Sequence, residues 1–213
     1  MDGCGSGEFS EIGTRLFHLA LREKGEITLE NFEEVVKDFF TKFKAAIELT
    51  FKDVTKVLYD VSTFTILAVF EETENFTVLT CGDGYILTQD MAGMLLFHET
   101  KEVMKDGGEE YPKYFVYNYV GKDRLKFYKD EVTFTKHIYS KEKYVNVGVA
   151  TDGLRFWGNL SHEDGEKFIE LLKKGKKGPV SRFITKFNEK YVKENGENKE
   201  NVPVFRDDIS IVF

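Results

Sequence analysis

Apolar residues in this chain change their spacing three times, and the order of those changes limits the fold more than any single motif. From Phe32 to Ile47 they recur at helical intervals. Phe32, Val35, Val36, Phe39, Phe40, Phe43, Ala46 and Ile47 form an apolar stripe about four turns long. Thr28 suits the N-cap of that helix. An earlier helix is predicted from about Glu8 to Arg22, with Phe9, Ile12, Leu16 and Leu19 or Ala20 turned inward. The short turn at residues 23–27 makes the two an antiparallel hairpin. From Val57 the runs become β-branched and aromatic. Residues 61–72 and 76–88 read as a β-hairpin, residues 89–110 as irregular, and 114–120, 124–129 and 132–140 as a meander. Residues 143–153 read as a buried strand ending in Asp-Gly. Helical spacing then returns. Ser161 caps one helix, and Pro179 opens another through about Glu194 with Val180, Phe183, Ile184, Phe187 and Tyr191 inward. The last strand, 202–213, is interrupted by Asp207 and Asp208. Helix pairs segregated from a run of strands mean an α+β fold with antiparallel sheets, not a parallel βαβ fold. No repeat or linker divides the chain, so residues 1–213 are expected to form a single domain.

Charge and cysteine usage narrow the function. The net charge is −7, whereas a nucleic-acid binder needs a basic stripe to neutralise phosphates. No apolar run approaches the roughly 18 residues of a membrane helix, and the opening residues do not resemble a signal peptide. The expectation is a protein that binds neither nucleic acid nor membrane. Cys4 and Cys81 are the two cysteines and form no CxxC pair, which excludes a disulfide framework and a zinc ribbon and suits a reducing cytoplasm.

Acids sit where strands end or break. Asp2 lies in DGCGSG before the first helix, Asp83 in TCGDGYIL, Asp152 in VATDGL, and Asp207 with Asp208 in FRDDISIVF. Any single Asp-Gly is ordinary turn chemistry, and Asp106-Gly107 and Asp164-Gly165 are read that way. Asp83, Asp152 and Asp207, however, each follow an apolar strand. Two acids in the middle of a buried strand are costly unless paired or bound to a cation. If the strands share a sandwich, their ends converge. Hard divalent cations such as Mg²⁺ or Mn²⁺ are the natural partners of such carboxylates, and two of them can activate a water for attack on phosphorus.

In that order, DGCGSG (2–7), TCGDGYIL (80–87), ATDGL (150–154) and RDDISIVF (206–213) resemble the motifs of the type 2C, metal-dependent protein serine/threonine phosphatases, the PPM family. The resemblance implies a four-layer αββα sandwich, two antiparallel sheets flanked by helix pairs. It implies hydrolysis of phosphomonoesters on phosphoproteins by metal-activated water, with two Mg²⁺ or Mn²⁺ ions and no covalent intermediate. Asp2 would be the carboxylate shared by both metals, and the carbonyl of Gly3 would complete one coordination sphere. Asp152 and Asp207 would be further ligands, and Asp83 would serve a looser third metal site. Catalysis would therefore pass through Asp2, Asp152 and Asp207. The family pattern also has an upstream segment with an arginine for the substrate phosphate and an acidic ligand, for which the sequence from Met1 has no counterpart, and Cys4 stands where a histidine is common. The alternative that follows is a pseudophosphatase, a regulatory or binding module on the same fold.

Other chemistries fit less well. Gly3, Gly5 and Gly7 miss the dinucleotide-binding spacing, because Glu8 occupies the position of the last glycine. The histidines His18, His98, His137 and His162 show no metal-protease spacing, and Ser62 and Ser210 lie outside any nucleophile elbow. Cys81 reads as a small buried strand residue rather than a nucleophile.

Overall fold

The computed structural model describes residues 2–3, 8–100, 103–106, 109–120, 131–152, 162–174, 183–187 and 211–212. The elements follow in the order β1 (Asp2–Gly3), α1 (Ser10–Glu23), α2 (Leu29–Thr50), α3 (Val54–Ser62), β2 (Phe64–Glu71), β3 (Asn75–Cys81), β4 (Tyr85–Asp90), β5 (Leu95–Glu99), β6 (Val103–Asp106) and β7 (Glu109–Pro112). A 3-10 turn at Phe115–Asn118, β8 (Thr135–Ser140), β9 (Tyr144–Ala150), α4 (His162–Lys173) and β10 (Ile211–Val212) complete it. Residues 183–187 are also helical. Two four-stranded sheets, ordered β1-β2-β3-β8 and β10-β9-β4-β5, are antiparallel throughout, and β6-β7 is a separate hairpin. The architecture is thus the expected α+β sandwich of two antiparallel sheets with helices outside.

Strand alternation explains the layering. On β2, Phe64, Ile66, Ala68 and Phe70 face the helices and join Phe17, Phe32, Phe39, Phe40 and Leu58 in one core. Leu67 and Val69 on the other face meet Phe76, Val78, Ile86, Val147 and Val149, which form the core between the sheets. Leu87, on the outer face of β4, is fully buried, so that face is covered as well. Phe168 of α4 is fully buried and packs on Phe183 with ring centroids 5.4 Å apart.

Several local expectations are corrected. The inward face of α1 is Ser10, Gly13 and Phe17, while Phe9, Ile12, Leu16 and Leu19 are 39–51% exposed. The reason is close packing against α3. A Cβ on Gly13 would lie 1.9 Å from the Val61 carbonyl oxygen, so only the small-residue face can seat there. α3 itself falls where the spacing from Val57 suggests extended chain. Asp53 caps it, accepting from the Lys56 amide at 2.9 Å, and Leu58 is fully buried; cap and burial outweigh the β-branched residues. Residues 76–88 are not one strand but two, β3 and β4, in different sheets. Within 89–110, β5, β6 and the first half of β7 replace the expected irregular segment. Residues 114–120 hold a 3-10 turn rather than a strand. Tyr114, Phe115, Val116 and Tyr117 are all buried in succession, which an alternating strand on one sheet does not allow. The side chain of Asn118 ties the turn by accepting from the Val132 amide and donating to its carbonyl, both at 2.7 Å. Thr28 does cap α2, its amide donating to Asn31 Oδ1 at 2.9 Å. The segment 124–129, the Ser161 cap, and most of the fourth helix and last strand lie outside the described residues.

Candidate functional site

Asp83 sits where the chain leaves one sheet for the other. β3 ends at Cys81 and β4 begins at Tyr85. Gly82 has φ +102°, a region that favours glycine, and a Cβ there would stand 2.6 Å from Thr65 Oγ1. The turn therefore presses onto β2. The Thr65 hydroxyl donates to Asp83 Oδ1 at 3.0 Å, and the Tyr114 hydroxyl donates to the same oxygen at 3.2 Å. Neither bond uses Oδ2.

Register carries the other acids to the same end of the sandwich. In the first sheet, Ile66 pairs with Cys81, and neighbouring Thr65 pairs with Asp2 of β1 while Gly3 pairs with Phe64. In the second, Tyr85, Ala150 and Ile211 lie in one row across β4, β9 and β10. Asp83 comes just before the β4 end of that row. Asp152 follows Ala150 directly after the buried Thr151 and is half-buried. Asp2 shares its register position with Thr65, the residue that holds Asp83. The backbone thus brings Asp2 and Gly3, within β1, and Asp83 and Asp152, in the turns after β3 and β9, to one end of the sandwich. Asp207 precedes β10 in the sequence and lies outside the described residues, as do Asp208 and Cys4.

The donor types at this end suit a hard divalent cation: carboxylate oxygens, one of them held in place by two hydroxyl donors. Cys81 does not belong to the set, because it is buried in the helix-side core and its Sγ donates to the Lys113 carbonyl at 3.5 Å. Among the described residues no group of three His, Cys, Asp or Glu side chains stands together as a metal site, and the side chains of Asp2 and Asp207 are not among them. The fit therefore rests on donor chemistry and backbone placement. His98 and His137 are engaged elsewhere, with Thr88 and Thr80 hydroxyls at 3.4 and 3.3 Å. Asp106 ends β6 and Asp164 lies in the first turn of α4, in keeping with structural roles.

Sequence reasoning missed Thr65 and Tyr114. Thr65 carries a signal, a polar residue in the middle of an apolar run, since a buried hydroxyl needs a partner. Tyr114 carries none, because its position depends on the turn that follows it.

Fold and edge together define an acid-edged antiparallel sandwich covered by helices. The family model for protein phosphatase 2C matches residues 1–191, and the chain belongs to that family. Its function is accordingly of the phosphatase type. The matched region includes Asp2, Gly3, Asp83 and Asp152 and ends before Asp207. No curated protein matches the chain. No helix among the described residues is long and apolar enough to cross a membrane.

Proposed function

We propose that this chain is a metal-dependent phosphoprotein phosphatase acting on phosphoserine or phosphothreonine. The observation that carries the reading is the end of the sandwich shared by Asp2, Asp83 and Asp152, with Asp83 fixed by Thr65 and Tyr114. In this reading Asp2, Gly3, Asp152 and Asp207 hold the ions, and Asp83 serves a further site. Mg²⁺ or Mn²⁺ bound there would supply electrophilic stabilisation of the phosphoryl group and acidify water for hydrolysis. The protein's own part is to hold its carboxylates in place before substrate arrives. Thr65 and Tyr114 do this for Asp83 by donating two hydrogen bonds to one oxygen. The Gly82 turn does it by bringing Asp83 against β2.

The test is hydrolysis of an aryl phosphate by wild type, Asp152→Asn and Cys4→Ala across a Mn²⁺ titration. Wild type is expected to be active only with the ion. Asp152→Asn is expected to abolish turnover, by removing a charged ligand with little change of shape. Cys4→Ala should keep most of it. Activity that survives chelation, or that persists in Asp152→Asn, overturns the reading. A folded wild type inactive at every Mn²⁺ concentration makes the chain a pseudophosphatase.

A further inference from the structure

The fold leaves the outer stripe of α1 unused. Phe9, Ile12, Leu16 and Leu19 are 39–51% exposed and are spaced by three, four and three residues. That is the spacing of a helix-pairing seam, and it reads the same in both directions. On one flank the stripe opens into a groove of about 640 Å³ between α1 and α2, whose apolar wall is Leu16, Leu19, Ala20, Val35, Phe39 and Phe43 and which the Lys24–Asp38 ion pair also lines. A contiguous exposed apolar surface of this kind marks an interaction site.

Charge along α1 identifies the occupant. Glu8 stands in the turn before it, Glu11 in its first turn, and Arg15, His18 and Arg22 toward its end. Among the described residues, none of Glu8, Glu11, Arg15 and Arg22 has an ion-pair partner. A second α1 laid antiparallel would set Phe9 against Leu19 and Ile12 against Leu16, each contact occurring twice. The same alignment brings Glu8 beside Arg22 of the other copy, also twice. Arg15 would meet its own mate near the axis, with Glu11 one turn earlier on the helix to offset it. We propose that the chain forms a two-fold dimer in which α1 packs antiparallel on α1 of a second copy, about an axis between Ile12 and Leu16. The patch is self-complementary, as a closed two-fold interface requires. The proposal does not depend on catalysis.

Sedimentation equilibrium of the full chain, from low to several hundred micromolar, tests it. The weight-average mass should rise from 24.6 kDa toward twice that value. Leu16→Glu should weaken association by roughly tenfold or more, since it puts a charge in the centre of the seam. Glu8→Arg and Arg22→Glu should each weaken it, and the double variant Glu8→Arg/Arg22→Glu should return close to wild type. These residues are exposed, and circular dichroism checks that each variant folds. If Leu16→Glu fails to fold, the charge swap alone decides. A wild type monomeric at every concentration overturns the proposal. A dimer indifferent to Leu16→Glu also overturns it, as does a double variant no better than the singles.

Discussion

Two cores lie on opposite faces of the sheet β1-β2-β3-β8, and they are built from different materials. The helix-side core is aromatic. Phe40 alone has ring neighbours Phe17, Phe39, Phe64, Phe115 and Tyr119 at centroid distances of 5.3–6.5 Å. The core between the sheets has fewer buried residues, and most are β-branched: Val78, Ile86, Val147 and Val149 with Phe76, while Leu67, Val69, Tyr139 and Tyr144 pack partly buried against them. Rings on a helix can fill the irregular space above a sheet, whereas two sheets about 10 Å apart admit short side chains that interdigitate. The difference divides labour. Aromatic packing secures the helical layer, including α1 and α3. The core between the sheets fixes their spacing, and so the distance between the strand ends that carry Asp2 and Asp83 on one side and Asp152 on the other. The site turn even rests on it, since a Cβ on Gly84 would lie 2.8 Å from Leu67 Cδ1 and 2.7 Å from the Ala150 carbonyl oxygen.

The sharpest way to break that comparison is a pair of truncations. Phe40→Ala should lower unfolding free energy by about 3–5 kcal/mol, because it empties a fully buried site with five ring neighbours. Val149→Ala should lower it by roughly 2 kcal/mol, from about 0.8 kcal/mol per buried methyl group plus a small cavity. In Mn²⁺-dependent hydrolysis at a temperature where both variants are folded, the order should invert, with Val149→Ala the more impaired. Denaturant melts measure the first quantity and initial rates the second. Equal stability losses, or normal turnover in Val149→Ala, would show that the two cores are not specialised.

A smaller effect sharpens the same point at the edge itself. Thr65→Val keeps the shape of a nearly buried side chain but removes its hydrogen bond to Asp83. Stability should fall by about 1 kcal/mol, the usual worth of one such bond at a half-exposed acceptor. Turnover should fall further than that figure suggests, because Asp83 is then held by Tyr114 alone. A variant with normal turnover would reduce Thr65 to a packing residue.

The layering was legible because it follows from periodicity. Alternation on residues 64–71 and helical spacing on 32–47 each name their buried face without help from the rest of the chain. The break in the apolar run at Asp83 was legible for a similar reason, as Gly-Asp-Gly is turn chemistry. What stayed hidden depends on tertiary contact. Nothing local in FSEIGTRLFHL favours the Ser10–Gly13–Phe17 face over the greasier one. The choice is made by the Val61 carbonyl, which leaves no room for a Cβ on residue 13. α3 was obscured because Val54, Thr55, Val57 and Val61 read as strand formers, and the Asp53 cap is a single residue's signal. The split of 76–88 between two sheets was obscured because a strand that crosses from one sheet to another has the same alternation as one that stays. The partners of Asp83 were hidden for the same reason, since Tyr114 reaches it from 31 residues away.

The smallest expected effect lies on the rim of the helical layer, where packing has little say. Asp38 on α2 pairs with Lys24 Nζ at 2.5 Å and Lys42 Nζ at 2.9 Å, joining the end of α1 to α2. The hydrogen bond from Lys24, then that from Lys42, holds its carboxyl below the ordinary aspartate value of 3.8. A folded-state value below the unfolded one sets the sign. The contribution is fully present above the unfolded value and is lost as pH falls through the lower folded one. Asp38→Asn should therefore be slightly less stable than wild type at pH 7, and the gap should close as the solution is acidified from about pH 4 downward. Because the carboxylate is partly open to solvent, added salt at pH 7 should narrow the gap too. Denaturant melts of both proteins, over that pH range and at low and high salt, measure it. A gap that ignores both pH and salt would mean that the carboxylate acts through shape, as the residues of the two cores do, and the contrast between rim and interior would be lost.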